Sequence, residues 1–226
     1  MRIALAVLAA TLLLPASAHA AATIAVDREC YADPSQRQDT VTLTGSGFRP
    51  NATYQVVLDG EPLPNGTGTT DAQGNMRGTF TAPALTGSSK RRRFVLGVQE
   101  GDNQPTAAFK VAKLFADFAP SGGDPRTLKV RFSLYGFSLG GVAQPRTYVH
   151  YIDPSGKRKK TVALGKAAGP CGSLSKTARK RLFPFSAPKA GLWKLQFDTN
   201  KAFVKGASDS PFLFYTVGVR VRGAAA

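Results

Sequence analysis

Apolar and polar side chains alternate along most of this chain. In TVTLTGSGF (residues 40–48) Val41 and Leu43 sit between threonines, and in MRGTFTAP Met76, Gly78 and Phe80 share one face. Period two is the spacing of strands with one buried face. Between residues 21 and 112 the runs TIAVDREC, TVTLTGSGF, TYQVVLDG, a weak stretch near 66–70, MRGTFTAP, RRRFVLGVQE and QPTAAFKVA predict about seven strands. KLFADFAP, LKVRFSLYGF, RTYVHYID, KRKKTVALG, KRLFPFS, GLWKLQFDT and PFLFYTVGVRV predict about seven more. Turn chemistry falls between them at Asp59-Gly60, at Asp71–Asn75 and at Asp153–Gly156. Gly, Pro, Thr and Ser recur too densely for a helix. Seven short strands punctuated every roughly 8–12 residues predict a sandwich, so the fold class expected is all-β, with two sandwiches in tandem.

A local echo links the halves. GFRPNATYQV (47–56) and GFSLGGVAQPRTYVHY (136–151) both run Gly-Phe, loop, Thr-Tyr, strand. Duplication accounts for it, as does convergent strand chemistry. The boundary is expected near Val111–Leu114, giving units 21–112 and 113–226 with almost no linker, a restrained pair.

The opening MRIALAVLAATLLLPASAHA is read differently. Arg2 is followed by an apolar stretch from Ile3 to Leu14, and Ala18-His19-Ala20 has the form of a cleavage site. This is the layout of a secretory signal peptide, residues 1–20. The stretch is too short for an anchor, which needs ~20 apolar residues. Secretion to an extracellular or wall-associated location follows, with no transmembrane segment expected.

Charge divides the mature chain sharply. Residues 21–112 carry nine basic and nine acidic side chains; residues 113–226 carry twenty and five. The second half thus has all the excess, which points to an anionic partner or to a well-solvated surface. Two clusters concentrate it. Lys157, Arg158, Lys159 and Lys160 begin the return strand of a hairpin whose turn is Asp153-Pro154-Ser155-Gly156. Lys176, Arg179, Lys180 and Arg181 follow Cys171. On a regular strand Lys157 and Lys159 point one way, Arg158 and Lys160 the other. Together the eight residues would attract an anionic envelope polymer or lipid head groups, unless they only protect a sheet edge. A third cluster, Lys90–Arg93, lies in the first half. Nucleic acid is not the expected partner: Tyr148, Tyr151, Phe183 and Phe185 could stack on bases, but their strand spacing suits a core.

Cys30 and Cys171 are the chain's two cysteines. In an exported protein they are read first as a disulfide. The other reading makes Cys171 the nucleophile of a thiol-dependent enzyme with His150, the single imidazole of the mature chain, as its base. His150, inside TYVHYI, is otherwise a half-buried strand residue. Asp153 and Asp198 as a glycosidase pair are a weaker reading still, since Asp153 sits in a turn. No metal-ligand spacing, phosphate loop or nucleophile elbow occurs, and no cofactor or metal is expected.

VTLTGSGFRPNATYQVVLDG followed by TDAQGNMRGTFTAP resembles bacterial immunoglobulin-like modules of the IPT/TIG and related wall-associated types. Gly45, Gly47, Phe48, Pro50, Asp59-Gly60, Asp71, Gly74 and Phe80-Thr81-Ala82-Pro83 carry it. The chain as a whole is similar to a family of small secreted bacterial proteins of unassigned role. The resemblance implies an immunoglobulin-like sandwich in the first half and no catalytic residues. The function expected is non-catalytic binding or structure in the cell envelope. An accessory protein that docks on a protein partner is the other class, and oligomeric state is left open.

Overall fold

The computed structural model describes residues 21–175, 177–205 and 214–223. The predicted leader and Lys176 lie outside the described residues. The chain is all-β, with fifteen strands among the described residues. The first eight are β1 (Thr23–Val26), β2 (Cys30–Ala32), β3 (Thr40–Ser46), β4 (Thr53–Leu58), β5 (Glu61–Thr69), β6 (Met76–Thr81), β7 (Arg91–Gln99) and β8 (Thr106–Ala112). They form a three-stranded sheet, β1-β3-β6, facing a five-stranded sheet, β2-β8-β7-β4-β5. The remainder are β9 (Phe115–Ala119), β10 (Lys129–Tyr135), β11 (Arg146–Ile152), β12 (Arg158–Lys166), β13 (Lys180–Arg181), β14 (Gly191–Asp198) and β15 (Tyr215–Val221). They form sheets β13-β10-β9 and β12-β11-β14-β15. The result is two sandwiches in tandem.

The two share one plan. Strands β3 to β8 correspond in order and pairing to β10 to β15, and β1 corresponds to β9. β2, paired in parallel with β8, has no counterpart, so the first sandwich has eight strands where the sequence pattern gives seven. The sequence echo falls at the same place in both, between β3 and β4 and between β10 and β11. Gly47 and Gly136 take the left-handed backbone (φ 80° and 78°), and each is followed by a buried phenylalanine, Phe48 or Phe137. The Phe48 amide donates to the Gly74 carbonyl at 3.2 Å; that of Phe137 donates to Gly172 at 3.0 Å. Gly74 and Gly172 also have positive φ and lie against backbone of the Gly-Phe segment. A side chain has no room there.

Alternation builds each core. Val41, Leu43, Val56, Leu96, Val98 and Phe109 are buried in the first. The second is more aromatic: Trp193 packs on Phe183 with ring centroids 5.0 Å apart and donates its indole N–H to the Lys189 carbonyl at 2.8 Å. Such aromatic pairs add about 0.5–1.5 kcal/mol beyond their buried area. KRLFPFS does not form the full strand its pattern predicts. Leu182 and Phe183 are both buried, and Pro184 has no N–H for a ladder, so pairing stops after Arg181.

Several contacts join the sandwiches. Cys30 and Cys171 are bonded, closing 141 residues of chain. The Gln36 side chain exchanges two hydrogen bonds with the backbone of Leu114, at 2.6 and 3.0 Å. Arg37 bridges Asp39 and the Leu139 carbonyl. Burial opposes ionisation of Asp39, but the Arg37 guanidinium, the Ala32 amide and Arg28 outweigh it and hold the carboxyl below its usual range. The first two residues of the Lys90–Arg93 cluster belong to this junction too, while Arg92 turns back to the first sandwich. Lys90 Nζ lies 3.9 Å from the centroid of Phe115, Arg91 stands over Tyr135, and Arg92 pairs with Asp59 at 2.7 Å.

A candidate anion-binding surface

The hairpin joining β11 and β12 turns where its sequence says it should. Asp153 Oδ1 accepts from the Ser155 hydroxyl and from the amides of Ser155 and Lys157, at 2.6 to 3.0 Å. The Ser155 hydroxyl comes first among the groups that hold its carboxyl below the usual range, with the Lys157 and Ser155 amides and the Lys159 charge adding to it. Asp153 is therefore turn chemistry, and Asp198 lies buried in a different network.

The return strand departs from the simple alternation expected. A register shift places Arg158 opposite Ile152 and Lys160 opposite Tyr151, with Lys159 left over as a bulge. Ile152 and Tyr151 face opposite sides, so Arg158 and Lys160 are split between the faces and do not share one. Arg158 lies on the outer face, where its guanidinium donates to Thr161 Oγ1 at 3.0 Å. Lys160 lies at the rim of the inner face and donates to the Pro184 carbonyl at 3.1 Å. Lys159 Nζ is 3.9 Å from Asp153 Oδ2.

That Lys160 contact brings the hairpin against the segment that follows β13. Arg179 donates to the Lys129 carbonyl at 3.2 Å, and Lys180 and Arg181 stand on the edge strand. Lys157, Arg158, Lys159, Lys160, Arg179, Lys180 and Arg181 are all exposed. Among the described residues only Lys159 of these seven has a carboxylate within ion-pair distance. Arg158, Lys160 and Arg179 are anchored by carbonyl and hydroxyl oxygens, which fix their positions and leave their charge uncancelled. A cluster of this kind holds a positive potential that polyanions feel at low salt. Three of the four aromatic side chains are core: Tyr151 and Phe183 are buried, and Phe185 packs on Trp193, whereas Tyr148 is half-buried and stands outside the core cluster.

The thiol-enzyme reading fails on both its residues. Cys171 is closed in the bond to Cys30, so no thiolate is available. His150 is fully buried, not half-buried as expected, beneath the chain that follows β14. Its Nε2 faces two acceptors, Asp198 Oδ1 at 3.0 Å and the Asn200 carbonyl at 3.1 Å, so Nε2 carries the proton. Nδ1 lies 2.8 Å from the Thr161 hydroxyl, and Phe203 covers the ring. Asp198 also accepts from Gln196, whose amide reaches on to the Val204 carbonyl. This closed network pins residues 199–204 to the outer face of the sheet. Strand alternation shows that His150 faces outward; that a loop folds over it is tertiary information.

Among the described residues no cluster of His, Cys, Asp and Glu is arranged to hold a metal. No helix there is long and apolar enough to cross a membrane. No family model matches the chain. No curated protein matches it either. Two solved structures align over most of it. One is a tetra-tandem repeat from the extending region of a large adhesion protein, 13% identical, covering 89% of this chain and 49% of that one, with a TM-score of 0.29. The other is bovine butyrophilin, 8% identical, covering 90% of this chain and all of that one, with a TM-score of 0.32. The chain thus spans about half the length of the adhesion repeat. At scores this low neither likeness says anything of a ligand or partner, and the sandwich assignment stands on the strand pairing itself.

Proposed function

We propose that this chain, its first 20 residues removed on export, is a secreted, non-catalytic binding protein of the bacterial cell envelope. Two units, 21–112 and 113–226, are held as one piece, and the second contacts an anionic polymer or head-group surface. The observation that carries this reading is the set of exposed cations, Lys157, Arg158, Lys160, Arg179, Lys180 and Arg181, left without carboxylate partners among the described residues. Lys159 and Lys176 complete the sequence cluster. The disulfide suits an oxidising, extracellular compartment.

Retention on purified cell wall, measured across a salt gradient, tests it. Neutralising several phosphates or carboxylates releases counterions, so retention should fall steeply between ~50 and ~500 mM salt. A variant with all eight basic residues changed to Ser should elute near the start of the gradient. Equal retention of the variant and the parent protein refutes the assignment.

A further inference from the structure

The second sandwich does not close along one seam. β13 is two residues long, so the sheets part between it and β12 and leave a cleft of about 100 Å³. Phe132, Val162 and Leu164 give it apolar walls, and Lys180 and Arg181 border it. Lys180 stands opposite the buried Val130, which turns it toward the inner side of its sheet. Lys160, inward-facing and fixed to Pro184, adds a third charge at the rim.

Tyr151 also borders this cleft. The residue is 2% exposed, its ring set 5.9 Å from both Phe183 and Phe185. Its hydroxyl makes no hydrogen bond with any described residue and is not among the buried polar atoms left without a partner, so it opens onto the cleft as an available donor. Burial holds its ionisation far above the ordinary tyrosine range, so the group stays an O–H donor. The corresponding seam of the first sandwich, between β5 and β6, is larger at about 280 Å³ but has no charged residue along it.

We propose that the β12–β13 cleft binds a small amphiphilic carboxylate. The carboxylate accepts from the Tyr151 hydroxyl and is neutralised by Lys180 and Arg181. Its short hydrocarbon tail lies against Phe132, Val162 and Leu164. Size sets the tail: a dry cavity of about 150 Å³ takes up benzene, so the cleft of about 100 Å³ holds about four heavy atoms, leaving the carboxylate at its charged rim. A phosphate suits the site less well, because it has no apolar part to lie against Phe132, Val162 and Leu164. The site is distinct in kind from the exposed surface above, although Lys180 and Arg181 serve both.

Pentanoate is the probe, with pentanol as its neutral counterpart and inorganic phosphate as an anion without a tail. Heteronuclear NMR of the disulfide-bonded protein should show saturable shifts at Val162 and Leu164 with pentanoate, and none at Leu63 or Phe80 in the first seam. Pentanol and phosphate should each bind at least tenfold more weakly. Tyr151→Phe should weaken pentanoate roughly tenfold, the scale of one hydrogen bond to a charged group. Arg181→Ser, a surface change, should weaken it as well and carries the test if Tyr151→Phe does not fold. Pentanol binding as tightly as pentanoate, shifts absent up to ~50 mM, or unchanged affinity in the variants overturns the proposal. Wall retention is read separately, so loss of pentanoate binding with retention intact rejects the cleft alone.

Discussion

Removing the Cys30–Cys171 bond should loosen both sandwiches, and by an amount the chain path predicts. The two cores share no buried residue, so each sandwich can be imagined unfolding while the other stands. With the bond in place an unfolded first sandwich stays tethered at Cys30 and again where β8 runs into β9. That closes a loop of about 80 residues, and the chain-entropy relation gives ~4.5 kcal/mol of restraint on the unfolded state. For the second sandwich the tethers are the same junction and Cys171, a loop of about 60 residues and ~4 kcal/mol. Native-state relaxation reduces such values, and ~1 kcal/mol moves the melting temperature of a domain this size by about 4–8 °C. The doubly substituted Cys30→Ser, Cys171→Ser protein should therefore melt at least ~10 °C lower by calorimetry. The parent protein held in reductant should follow it. A change below ~3 °C would mean that the bond does not restrain the unfolded chain, and the reasoning would fall.

Acid should destabilise the protein in a defined window. Asp27, Asp33 and Asp39 are held below their usual range by hydrogen bonds and neighbouring cations that outweigh burial. Their folded-state values lie below the unfolded value of about 3.9, so their contribution is complete above that pH and is lost as pH falls through the folded values. Urea midpoints should be level near pH 6 and drop below about pH 4. A flat profile down to pH 2.5 would contradict this, and Asp39→Asn should shrink the drop. At the Gly-Phe corners, Gly74→Ala and Gly172→Ala should each cost ~1–3 kcal/mol, since a methyl would strike backbone and the φ is left-handed. Gly156→Ala, with the same φ sign but open space, is the control; equal losses at all three would discount the close approach.

The strands were legible wherever local chemistry governs. Val41 and Leu43, Met76 and Phe80, and the Asp59-Gly60 and Asp153–Gly156 turns needed only period two and the residues that tolerate tight backbone. The Gly-Phe echo also proved informative, because it marks the same corner in both sandwiches. What the pattern missed depends on neighbours distant in sequence. The bulge at Lys159 is set by how β12 registers on β11, so the four basic residues could not be assigned to faces from alternation alone. The shortness of β13 follows from Leu182 and Phe183 both being drawn into the core. The opening of Tyr151 onto the cleft carries no sequence signal, since a core tyrosine and a cleft-facing one look alike.

The link between Cys30 and Cys171 also decides how the molecule would carry tension. A pull applied outside these two residues passes from one to the other through a covalent bond, bypassing the 141 residues of separation. Fully extended, that length would supply up to about 500 Å of slack. Withheld, it leaves β1 and the strands after Cys171 as the parts that peel, while β2 to β12 remain outside the load path. The charged hairpin Lys157–Lys160 lies inside the shielded stretch and Arg179, Lys180 and Arg181 lie outside it, so tension would draw the two halves of the basic cluster apart.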